Sequence, residues 1–130
     1  MRTAAAYANV QAMTFGQERA FEELYLRLAR RSAEARAMTD DAMWPEVNAL
    51  LDRCVAVLGY MSGLIDVGKS YETAVAILSL NRFAIGALIR AKSEHDRKQL
   101  EGLPELFVAL AEIFAAMDSR PINAAKLISL

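Results

Sequence analysis

Apolar residues return every three or four positions along most of this chain, and four stretches keep that rhythm long enough to make a helix. In the first, Phe21, Leu24, Tyr25, Leu28, Ser32 and Ala35 fall on one face, while Glu22, Glu23, Arg27, Arg30, Arg31, Glu34 and Arg36 mostly fill the other. Thr14 followed by Gln17 fits a capping box. In that motif the hydroxyl accepts from a first-turn N–H while the Gln side chain reaches back to the cap. A helix is therefore expected over 18–38. Ahead of it, residues 1–13 carry Tyr7, Val10 and Met13 without a sustained period, which reads as an extended arm with a few apolar anchors.

The polar break Thr39-Asp40-Asp41 offers two candidate caps, and Pro45 suits the first turn of the next helix, where a missing N–H costs nothing. The second helix then runs to about Ile65 with a stripe from Val47 through Leu51, Cys54, Leu58 and Met61. Gly59 and Gly63, four apart, read as a small-residue packing position. The third helix is expected from Ser70 or Tyr71 to Lys92, with Ala74, Ile77, Leu78, Leu80, Phe83, Ala84, Ala87, Leu88 and Ala91 as its packing face. The fourth spans 97–117, with Leu100, Leu103, Phe107, Leu110, Ile113, Phe114 and Met117 inward. Gly102 and Pro104 make either a kink in that helix or its true start near Leu103. Residues 118–130, which include Pro121, read as a tail. The expected fold is all-α, a single-domain antiparallel four-helix bundle with an N-terminal arm.

Composition narrows the function. A hydrophobic share of 55%, resting on Ala and Leu with 3 Pro and 6 Gly, agrees with helices. A net charge of −1 gives no drive towards nucleic acid or anionic lipid. No run of about 20 apolar residues implies a membrane span, and the start Met1-Arg2-Thr3 has no signal-like apolar core before Asn9. A soluble, cytoplasmic protein is expected.

Catalytic constellations are missing. His95, the only histidine, falls in a polar turn, and Cys54 falls on an apolar helix face. Trp44 reads as a cover for the end of the bundle. No catalytic residue, metal site or cofactor is expected. One string needs weighing, because Gly63-Leu64-Ile65-Asp66-Val67-Gly68-Lys69-Ser70 matches a phosphate-loop pattern. Such a loop needs a buried strand before it, whereas residues 55–65 keep a helical period. A helix–helix turn is the better reading, with a nucleotide-binding enzyme as its rival.

Between Tyr7 and Tyr25 the chain resembles the flagellin export chaperones of the FliS family. That family carries a Tyr in an N-terminal arm, a Thr seven residues on, and Leu-Tyr within the first helix; Tyr7, Thr14 and Leu24-Tyr25 stand at those spacings. The likeness continues at Leu64-Ile65-Asp66, through Ala74, Ile77, Leu80, Asn81, Arg82, Phe83, Leu88 and Ala91, and at His95-Asp96 with Leu100-Glu101. It spans residues 6–117. Leu26 stands where an Asp often follows Leu-Tyr, Asn81 and Phe83 replace two tyrosines, and no Trp closes the last helix.

The resemblance implies a cytoplasmic chaperone that holds the flagellin C-terminal segment unpolymerised before type III export. It implies partner contacts at Tyr7, Val10, Thr14, Leu24, Tyr25, Ile77, Leu80 and Phe83. The arm around Tyr7 and Val10 would cover part of that surface while the partner is absent. The alternative is a helical adaptor for another flagellar or secretion component. A homodimer is left open.

Overall fold

The computed structural model describes the backbone of residues 2–66 and 71–129, and side chains within 17–66 and 71–117. Four helices account for nearly all of it: α1 (Arg2–Ala37), α2 (Trp44–Leu64), α3 (Tyr71–Ser93) and α4 (Leu103–Ser129). Short 3-10 turns at Asp41–Met43 and Arg97–Leu100 join them, and no strand occurs among the described residues. Phe21 of α1 meets Phe114 of α4 while Arg36 meets Glu105, so these helices run antiparallel. The α2–α3 pair is antiparallel as well, with Ser62 bonded to Asn81 and Asp52 to Lys92. The expected antiparallel four-helix bundle is the observed fold.

Two terminal expectations are overturned. Residues 2–13 are not an extended arm, because α1 begins at Arg2 and passes through Thr14 and Gly16. Thr14 therefore lies inside the helix and not at its N-cap position. Ala4, Ala5, Ala6, Ala8 and Ala12 have the highest helix propensity, and a single Gly costs only about 1 kcal/mol. Propensity thus carries the helix past the place where the apolar period fades. At the other end α4 runs through Pro121 to Ser129 instead of breaking at 118–123. Ala115, Ala116, Ala124 and Ala125 flank the site with strong helix formers.

The connections follow from local chemistry. At the end of α1, the Met38 N–H is shared between the carbonyls of Glu34 at 3.2 Å and Ala35 at 3.3 Å. Asp40 then accepts from the Ala42 N–H at 2.9 Å, and Pro45 sits in the first turn of α2. After α3, the Asp96 N–H donates to the Ala91 carbonyl at 3.0 Å and the His95 N–H to that of Lys92 at 3.4 Å. This is a Schellman closure. His95 is its left-handed residue, at φ 48°. Gly102 (φ 79°) ends the following 3-10 turn, and its carbonyl accepts from the Leu106 N–H at 2.9 Å. The Gly102–Pro104 region is a helix start, not a kink.

Trp44 closes this end of the bundle. Its ring lies 4.6 Å from His95 on a tilted plane, and the Arg97 guanidinium sits 4.2 Å from its centroid. Arg97 also donates to the Asp40 carbonyl at 3.0 Å and pairs with Asp41 at 3.5 Å. One arginine so ties the α3–α4 link to the α1–α2 link.

The core gathers Phe21, Tyr25 and Leu28 of α1, Val47, Leu51, Leu58 and Met61 of α2, Leu88 of α3, and Leu103, Phe107 and Leu110 of α4. Tyr25 stacks on Phe107 and Phe114 at 6.4 and 5.7 Å. Cys54 is buried within this cluster, and burial pushes its thiol up to about 11, against a smaller opposing effect of Arg31. A thiol held protonated in the core has packing, not nucleophilic, character.

Candidate functional site: an apolar cleft between α3 and α4

Among the described residues the helices pack as α1 on α4, α2 on α3 and α1 on α2, whereas α3 and α4 share no comparable seam. Where the fourth seam of a bundle would close, apolar side chains remain in solvent. On α3 these are Leu80 (37% exposed) and Phe83 (59%), and on α4 Ile113 (41%), with Leu106 half-buried beside the core. Both Leu80 and Phe83, and also Ile113, were expected on packing faces. They remain in contact with solvent instead.

The levels of these residues agree. Tyr25 bonds to Asn81 of α3 and stacks on both Phe107 and Phe114 of α4. That places Leu80 and Phe83 at about the height of Leu106 to Ile113. The result is a shallow apolar cleft whose walls come from two helices. Such a cleft can take the apolar face of a third helix.

A buried polar chain fixes the cleft from below. The Tyr25 hydroxyl donates to Asn81 Oδ1 at 2.7 Å, and Asn81 Nδ2 donates to Ser62 Oγ at 3.1 Å. Each member satisfies the next, so three helices are locked in one register. Burial pushes the Tyr25 phenol up to about 12, with the Asn81 hydrogen bond opposing part of that shift. At the far side Arg36 and Glu105 pair at 3.2 Å across the α1–α4 seam. A backbone N–H and Arg36 together hold the Glu105 carboxyl below its ordinary value.

The expected contact residues divide accordingly. Leu80 and Phe83 stand on the cleft wall. Leu24 is half-buried against the core. Tyr25 and Ile77 are buried and present no surface, so they position the cleft without lining its mouth. The side chains of Tyr7, Val10 and Thr14 lie outside the described residues. Sequence reasoning missed Ile113 and Leu106 as wall residues. Their signal is a second apolar stripe on α4, offset from the Phe107–Phe114 stripe.

Other chemistry is sparse. Among the described residues no group of three or more His, Cys, Asp or Glu side chains is placed to hold a metal ion. Gly63 and Leu64 end α2, so a helix and not a strand precedes Ile65 and Asp66; residues 67–70 of the phosphate-loop string lie outside the described residues. The helix Tyr71–Ser93 is long and apolar enough to cross a membrane. In the bundle its apolarity is divided between a core face and an exposed face, and that division explains its hydropathy.

Among the described residues the chain is an antiparallel helical bundle with exposed apolar side chains beside the seam that α3 and α4 do not share. Residues 1–121 match the family model described as flagellar protein FliS, and the chain belongs to that family of flagellar chaperones. No curated protein and no solved structure matches the chain.

Proposed function

We propose that this protein is a cytoplasmic export chaperone. It binds the C-terminal segment of flagellin and keeps it from polymerising before type III flagellar export. The observation that carries the reading is the cleft: Leu80, Phe83 and Ile113 are exposed to water along a seam that the bundle leaves open. Isolated helices of modest length are marginal in water. A segment disordered in solution gains helix only when an apolar surface receives its apolar face, and the order it acquires lowers the net affinity.

The chaperone role is mechanical in this account. The client's apolar stripe is occupied by the cleft and is unavailable to other flagellin copies. Weak to moderate affinity suits a client that must be released.

The test is calorimetric titration of the full chain with a synthetic flagellin C-terminal segment, alongside far-UV circular dichroism. Binding with a gain of helix beyond the sum of the parts, and a negative heat-capacity change, is the expected result. Docking of a folded flagellar component without any helix gain would instead establish the adaptor reading.

A further inference from the structure

We propose that Arg90 selects which helices the α3–α4 cleft accepts, namely those that carry an acidic side chain about one turn beyond their apolar anchors. This rests on the reading of the cleft as a receiver for a client helix, and it names the chemistry that the client must bring.

Leu80, Phe83 and Arg90 share one side of α3, since helical positions three and seven apart fall on one face. The exposed apolar wall thus ends in a cation. Arg90 stands at the end of the cleft nearest the α3–α4 link, where its Nε donates to Gln99 Oε1 at 3.2 Å.

The glycine one turn before Arg90 makes room for the guanidinium. A Cβ at Gly86 would stand 3.2 Å from Arg90 Nη1 and 3.9 Å from its Cζ, so the side chain folds back along α3 over the place a larger residue would fill. At Gly59 and Gly63 a Cβ would meet nothing within 4 Å. Those two serve no close contact inside the bundle, contrary to the packing role the sequence suggested. Glycine is unfavourable inside a helix, and what it provides at Gly86 is space for a cation.

A second contact fixes that cation. Gln99 Nε2 donates to Asp96 Oδ2 at 3.4 Å, which leaves Oε1 of the same amide for Arg90. With Nε engaged, the Nη donors remain, and the planar fork of a guanidinium matches a carboxylate. Among the described residues no carboxylate pairs with Arg90; Asp52 is taken by Lys92, Glu105 by Arg36 and Asp41 by Arg97.

The spacing follows from the helix rise. Gly86, beneath the guanidinium, lies about 4.5 Å beyond Phe83 and about 9 Å beyond Leu80 along the axis. A client helix whose apolar side chains meet Leu80 and Phe83 therefore reaches the cation with an Asp or Glu three or four residues further on. The apolar walls set no direction by themselves. Arg90 stands at one end only, so the acid fixes which way the client lies.

Calorimetric titration of the full chain with two designed peptides tests this. Both are alanine-rich helices with leucines at i and i+4; one has Glu and the other Gln four residues further on. The Glu peptide should bind about fivefold more tightly at low salt, and the preference should shrink at about 1 M salt. Arg90→Gln should abolish the preference and Arg90→Glu should reverse it. Gly86→Gln should reduce it with the helix content of the parent retained. A merely structural role for Arg90 would change both peptides alike. Equal affinity for the two peptides overturns the proposal, as does a preference that survives Arg90→Gln or a failure of both to bind. The flagellin segment separates this inference from the chaperone reading. If that segment binds while neither it nor the peptides respond to Arg90→Gln, the chaperone reading stands and this inference falls. If it does not bind while the Glu preference holds, the inference stands and that client is removed.

Discussion

At the scale of single residues, buried polar groups and one strained cap carry the testable content. Tyr25 and Asn81 were legible as family positions, but their bond was not, since the two stand 56 residues apart. The structure gives a physical reason for Asn81: it accepts from the Tyr25 hydroxyl and donates to Ser62. Burial raises the Tyr25 phenol from 10.0 to about 12. A raised phenol favours the folded state fully below pH 10, and that advantage disappears as pH rises towards 12. Thermal melts should therefore lose about 2–3 kcal/mol of stability over this window. Tyr25→Phe should flatten the decline, while costing about 1–3 kcal/mol at neutral pH by leaving Asn81 Oδ1 unpaired. His95 offers a cleaner comparison. Its left-handed backbone disfavours any Cβ. His95→Gly and His95→Ala both remove the ring from Trp44, so the Gly variant should be more stable than the Ala variant by about 1 kcal/mol in urea titration.

Among the elements, helix identity was readable and helix extent was not. The three-and-four period located α2 and α3 to within a residue or two, and Asp40 and Pro45 marked the entry to α2 as their chemistry requires. Period fails at α1 because its outer turns are alanine-rich, where propensity alone sustains the helix, and at α4 the helix continues through Pro121, which the pattern marks as a break. The same limit hid the cleft. A period shows that one face is apolar but not how wide a strip the neighbours will cover, so Leu80, Phe83 and Ile113 merged with the core stripe. Their exposure yields a separable prediction. Leu80→Glu and Phe83→Glu should abolish binding of a helical client segment in the calorimeter and leave the melting temperature within a few degrees of the parent. Gly59 tests the opposite side. Because nothing occupies the space around it, Gly59→Ala should raise stability by about 0.5–1 kcal/mol, measured by denaturant unfolding.

For the whole molecule, the seam between α1 and α4 governs stability. Phe107 is fully buried against Tyr25, whereas Ile113 stands 41% exposed a turn and a half away. Phe107→Ala should cost about 3–5 kcal/mol, against under about 1 kcal/mol for Ile113→Ala, with both read from urea unfolding. The four-helix architecture was legible because short polar links between long periodic stretches leave few alternatives. Which pair of helices would stay apart was not, since that depends on side-chain volumes summed across all four. The closing of the α1–α4 seam also sets an order in time. Phe21 and Tyr25 are made early, yet their aromatic partners Phe107 and Phe114 leave the ribosome about 90 residues later, which at about 5–20 residues per second means several seconds of synthesis. During that interval the first helix is an apolar segment awaiting its complement. A protein proposed to shelter such segments in others begins its own existence in the same exposed condition.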